Sequence, residues 1–213
     1  GTLGLAELLS HYSGHSHVIG LRVARADSRE ELGAAAREIN GLVRTLHLNG
    51  ARMQYLAELV SVLNQRMMAR LFEFCFVPAV RTRCCLVVMG SEGRGEQILR
   101  TDQDNALLIR DGFEWPGMAG LAARFNAALV ELGYPPCPGD IMLTNPVWRQ
   151  PLAAFKATMR DWLYAYTPGA EQQRPPPFDS AADSALWAAD VWYTIRKHWA
   201  LEAQRHIAAR RAG

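Results

Sequence analysis

The apolar residues of this chain follow a helical spacing first, a strand-like run in the middle, and a helical spacing again at the end. Ile39, Leu42, Val43 and Leu46 recur at steps of three and four, which puts them on one face of a helix. Asp27-Ser28 followed by Glu30-Glu31 is a capping-box start for that helix, and Asn49-Gly50 is its stop. Leu56, Leu59, Val60, Leu63, Met67 and Leu71 line one face of a second helix directly afterwards. So short an interruption predicts an antiparallel helical hairpin. Packing of one helix on the other and on the next region accounts for this stripe more simply than a partner-binding face does. His11, His15 and His17 stand upstream in a Gly/Ser-containing stretch. No carboxylate or cysteine completes a metal set there, so this segment reads as a solvated loop.

From about residue 81 the period changes. Residues 84–89 form a continuous apolar run of strand length, and residues 105–109 form a second. A Gly- and charge-rich segment separates them. Residues 118–132 read as a helix closed by Gly133. Pro135, Pro136 and Pro138 punctuate the next connection, and residues 140–143 are expected to form a short third strand. Helical spacing returns over 152–166, with Phe155, Met159 and Trp162 on one face. Pro175-Pro176-Pro177 marks a turn or linker, and a long helix is expected from Leu186 to about Arg211. The Arg- and Lys-bearing end of that helix reads as a solvated face rather than a phosphate-backbone contact. The predicted organisation is an N-terminal helical region over 1–80, a mixed core over 81–150 and a C-terminal helical region over 151–213. The fold class is α+β: a small mixed sheet with helices against it, flanked by helical segments.

Composition narrows the partners. The chain has 213 residues, 49% of them hydrophobic, enough to bury a sizeable core. Its 23 Lys and Arg against 21 Asp and Glu leave a net charge of +2, which makes no electrostatic case for nucleic acid or an anionic membrane. No apolar run approaches the roughly 18 residues of a spanning helix, and no basic-then-apolar signal segment opens the chain. Cys75, Cys84, Cys85 and Cys137 form no C-x-x-C pair. They read as buried thiols in a reducing compartment, which predicts the cytoplasm. The chain opens at Gly1 and closes inside a helical pattern, as a piece of a longer protein would.

The chemistry is concentrated between the two apolar strands, in Gly90-Ser91-Glu92-Gly93-Arg94-Gly95-Glu96-Gln97 and Thr101-Asp102-Gln103-Asp104-Asn105. At the lead-in to a strand, residues two apart point to the same face. The carboxylates of Asp102 and Asp104 therefore project together, as a pair of hard divalent cations about 3.5–4 Å apart requires. Magnesium takes a few carboxylates and completes its shell with phosphate oxygens and water. Gly90-Ser91 follows the first strand directly. Glycine lets the backbone approach a phosphate, and a helix beginning over 92–99 would turn its N–H groups and dipole towards it. The Ser91 hydroxyl adds a donor, and Arg94 reaches a triphosphate oxygen as a fork. A lone D-x-D or a lone Gly-Ser is usually a solvated turn; both at this spacing between two strands point to one connected device. Gln103 and Asn105 are candidates to orient the aspartates, Glu96 to brace Arg94, and Thr101 to cap or turn the chain.

This segment resembles the nucleotidyltransferase superfamily related to DNA polymerase beta, whose signature is Gly-Ser followed about ten residues later by Asp-x-Asp. More narrowly, residues 90–97 and 101–106, with Cys137-Pro-Gly-Asp-Ile-Met142 and Asn145-Pro-Val-Trp148, resemble nucleotidyltransferases similar to the PII-protein uridylyltransferase. The match is specific over about 84–150 and looser over the flanking helices. The resemblance implies two Mg2+ ions on Asp102 and Asp104, with Asp140 as the third carboxylate, and a nucleoside triphosphate as substrate. It further implies a protein acceptor, UTP as donor, and upstream CBS or cyclic-nucleotide-binding modules in the full-length chain. A C-terminal substrate-binding region is expected from near Trp148. Two other readings stay open: a nucleotide-sensing or scaffolding module of a signalling protein, and a nucleic-acid end-modifying enzyme, which the balanced charge disfavours.

Overall fold

In a computed structural model the described residues are 16–164. The expected helix over 186–211, the Pro175–Pro177 linker, His11 and His15 lie outside them, as does the side chain of Trp162. The chain orders as α1 (16–25), α2 (Arg29–Leu48), α3 (Met53–Cys75), α4 (Pro78–Arg81), β1 (Cys84–Val88), α5 (Gly90–Arg94), β2 (Asn105–Ile109), α6 (Met118–Glu131), β3 (Arg149–Pro151) and α7 (Leu152–Tyr164). Among the described residues, a small mixed sheet with seven helices is the α+β architecture that the apolar pattern predicts.

The chain divides into two compact units. The first holds the described residues up to Thr82, with Gly95–Gln103 and Trp115–Pro136. Its helices follow the sequence signals closely. Ser28 caps α2, its hydroxyl accepting the Glu31 N–H at 3.1 Å, while the Glu31 carboxylate accepts the Asp27 N–H at 2.8 Å. Asn49 and a left-handed Gly50 end α2. Ile39, Leu42, Val43 and Leu46 of α2 pack with Leu56, Val60 and Leu63 of α3 and with Ile19 of α1. His17 sits exposed on α1 rather than in a loop, because Ile19 and Val23 give that segment a buried helical stripe. The apolar faces of α3 and α6 meet through Phe72, Phe76 and Phe125, whose rings stand 4.4–6.3 Å apart.

The second unit holds Arg83–Arg94, Asp104–Glu114 and the described residues from Cys137 onward. Its sheet has the order β1-β2-β3, antiparallel between β1 and β2 and parallel between β2 and β3. Val88 pairs with Asn105 and Cys84 with Ile109. All five residues of β2 are buried, as a central strand of continuous apolar character requires. Val87, Met89, Ala106, Leu108, Ile141, Trp148, Phe155 and Met159 form the core of this unit.

Two local expectations are corrected. Residues 140–143 form an irregular loop that bends at Met142 and turns at Leu143, and the third strand is Arg149–Pro151. The loop still lies along β2: the Asn105 N–H donates to the Ile141 carbonyl at 3.0 Å, and the Asn105 side chain accepts the Leu143 N–H at 3.0 Å. A side chain takes the place of the next ladder bond, so pairing stops there. The helix expected over 92–99 is instead the single turn Gly90–Arg94. It ends because Gly95 adopts φ +74°.

Candidate active site

The site is built where β1 ends and β2 begins. Beyond the Val88–Asn105 pair, the Met89 N–H donates to the Asp104 carbonyl at 2.9 Å, so the two strands stay side by side for one more residue. Gly90 then turns the chain with φ +60°, a conformation that a side chain strongly disfavours. The Gly93 N–H returns to the Met89 carbonyl at 2.9 Å and closes the turn. The absent side chain at Gly90 matters as much as its backbone. A Cβ there would stand 3.2 Å from Cγ of Asp104 and collide with its Oδ2. The carboxylate of Asp104 thus lies directly on the bare backbone of the Gly-Ser turn. Ser91 is half-buried on that turn, Glu92 is buried and Arg94 is exposed.

Burial alternates along the segment that carries the aspartates. Asp102 is half-buried, Gln103 buried, Asp104 half-buried and Asn105 buried. This is the period of an extended chain, and it turns both carboxylates away from the side on which Gln103 is held. Gln103 is fixed firmly. Its Nε2 donates to the carbonyls of Asn126 at 3.3 Å and Tyr134 at 3.2 Å, its Oε1 accepts from Nδ2 of Asn126, and its N–H donates to the Pro135 carbonyl at 3.0 Å. Just upstream, Arg100 donates to the carbonyls of Leu132 at 2.7 Å and Ala36 at 2.6 Å, with its guanidinium over the Tyr134 ring.

Cys137, read from the sequence as a buried thiol, is the neighbour of Asp104. A carboxylate oxygen of Asp104 and Sγ of Cys137 lie within 4.8 Å of each other. Burial pushes the Cys137 thiol up to about 11; the Asp104 carboxylate adds to the push, and the nearby backbone amides of Ile141 and Gly139 oppose it. No local pattern announces this contact. It depends on a turn 33 positions away in the chain being laid along β2 by Asn105.

Asp140 stands in the same turn, exposed and with φ +54°. Its N–H donates to the Cys137 carbonyl at 3.0 Å, and its own carbonyl accepts from Nδ2 of Asn145 at 3.2 Å. Among the described residues it joins no cluster of converging metal-ligand atoms. The rest of the turn is secured by Arg149, which donates to the Leu143 and Thr144 carbonyls at 2.5 and 2.8 Å. Asn145 caps the short 3-10 helix Pro146–Trp148, accepting the Val147 N–H at 3.0 Å. The Cys-Pro-Gly-Asp and Asn-Pro-Val-Trp patterns thus form one braced loop, which Asn105 at the start of β2 ties to the strand.

The donor set suits a divalent cation. A carboxylate lies against the backbone of Gly90, a second carboxylate is two residues away in the sequence, and a thiol stands beside the first. Among the described residues no helix is long and apolar enough to cross a membrane. Residues 37–169 match the family model described as "Putative nucleotidyltransferase DUF294". No curated protein and no solved structure matches the chain.

Proposed function

The chain belongs to this DUF294 nucleotidyltransferase family, and from that premise we propose that it transfers a nucleoside monophosphate from a nucleoside triphosphate to an acceptor hydroxyl. The observation that carries the proposal is the seating of the Asp104 carboxylate on the bare Gly90 backbone. A carboxylate meant only to be solvated needs no such clearance. A metal–triphosphate does, because its phosphate oxygens must come within hydrogen-bonding distance of the turn while the cation stays on the carboxylate.

In this reading Gly90 and Ser91 receive the triphosphate tail and Arg94 adds a guanidinium fork to it. Asp102 and Asp104 would hold divalent cations, two Mg2+ by the family resemblance, which would supply charge stabilisation for the transfer. Two residues of chain keep their Cα atoms within about 7 Å, which supports reading the two carboxylates as one pair. Asp140, exposed at the rim of the Cys137–Leu143 turn, is the group proposed to meet the acceptor and take its proton. By resemblance the acceptor is a protein hydroxyl and the donor UTP, with regulatory modules upstream in the full-length chain and the cytoplasm as the compartment.

The test is pyrophosphate release from each of the four ribonucleoside triphosphates, with a panel of acceptor proteins. Release that requires a divalent cation and falls at least about a hundredfold in Asp104→Asn, the scale of losing one electrostatic contributor to a transition state, supports transfer. Triphosphate binding with no turnover over the whole panel favours a nucleotide sensor instead.

A further inference from the structure

A nucleotidyl-transfer site built on carboxylates alone has oxygen ligands only, and oxygen-only sites suit magnesium. The structure places sulfur there as well. We propose that Sγ of Cys137 is a direct ligand of the cation held by Asp104, so that this position prefers a thiophilic divalent ion of the zinc or cobalt class over magnesium. The inference rests on the reading of Asp104 as a metal carboxylate and extends it to the identity of the metal.

Two features support it. First, Cys137 and Asp104 present ligand atoms within 4.8 Å of each other, and bonds of about 2.3 Å to sulfur and about 2.0–2.2 Å to oxygen let one cation draw both into its shell with a small side-chain movement. Second, the turn over 137–143 is anchored from outside itself, through Asn105 to Leu143 and through Arg149 to Leu143 and Thr144. The thiol is therefore held at a fixed place beside the carboxylate before any ion arrives. Binding exchanges the thiol proton for the cation and releases that proton to solvent.

Other features carry less. The cleft lined by Arg29, Arg37, Glu30 and Glu131 mixes charges of both signs and selects no ligand. The exposed Leu48, Met53 and Leu99 have nothing on them to identify a partner.

The experiment loads the protein with Co2+ and follows both the visible ligand-field bands and the near-ultraviolet sulfur-to-cobalt charge-transfer band. The expected result is a charge-transfer band in the parent protein that disappears in Cys137→Ser and persists in Cys84→Ser. Zn2+ affinity should also fall at least about tenfold in Cys137→Ser, the size that losing even an outer partner of a metal ligand costs, with Mg2+ affinity nearly unchanged. X-ray absorption on the Zn2+-loaded parent protein gives an answer independent of any variant's folding: one sulfur at about 2.3 Å. Cobalt bound in an Asp104-dependent way without a charge-transfer band, or with a band that survives Cys137→Ser, overturns the Cys137 inference alone. Absence of any Asp104-dependent cation binding overturns it together with the transferase reading beneath it.

Discussion

Gly90 does two things that no other residue does at once: it takes a left-handed backbone and leaves room for the Asp104 carboxylate. The left-handed conformation alone costs a side-chain-bearing residue about 1–2 kcal/mol, and a Cβ at this position would also collide with Oδ2. Gly90→Ala is therefore expected to lower stability in urea by at least that amount. It should also abolish cation-dependent triphosphate binding, because Asp104 must leave its place. Full binding with unchanged stability would show that the carboxylate does not depend on the turn. At this scale much was legible. Gly-Ser after an apolar run, and two aspartates before the next, are patterns whose chemistry is local. Cys137 was not legible, because a thiol takes its role from its neighbour, and that neighbour is brought to it by Asn105 accepting the Leu143 N–H. Glu92 was missed for a similar reason: nothing in Gly-Ser-Glu-Gly-Arg says that this carboxylate is the buried one.

Among the elements, the segment joining α5 to β2 is short of regular structure, yet it carries the aspartates. It is held by polar contacts in place of a helix or a ladder. Gln103, only 2% exposed, meets Asn126, which interrupts the apolar stripe of α6. Removing one member of such a pair leaves the other buried and unsatisfied, at about 1–3 kcal/mol. Asn126→Leu and Gln103→Leu are each expected to destabilise by that order. The double variant should lose less than the sum of the two, since both polar partners then go together. Strictly additive losses in a double-mutant cycle would show that the two side chains do not act as a pair. The helices themselves were readable from spacing and caps: α2 begins at Ser28 and stops at Asn49-Gly50 as the capping signals say. The third strand was not. Residues 140–143 have the apolar character of a strand, but the Asp140 backbone is left-handed and the Asn105 side chain occupies the next pairing position. The short polar run Arg149–Pro151 pairs with β2 instead, and its three residues offer no periodicity to detect.

Across the molecule, the chain passes repeatedly between its two compact units, and one of these passages falls between Gln103 and Asp104. Linear thirds of the sequence do not reproduce that interleaving, because Gly95–Gln103 and α6 belong with the N-terminal helices only through packing between segments distant in sequence. The family match over residues 37–169 spans segments of both units. The central claim is that Asp102 and Asp104 together hold a metal-bound triphosphate on the Gly90-Ser91 turn. Calorimetric titration with each nucleoside triphosphate, with and without divalent cation, tests it on the parent protein and on Asp102→Asn and Asp104→Asn. Binding that requires the cation and is lost in either variant is the predicted result. Cation-independent binding, or binding that both variants retain, would contradict it.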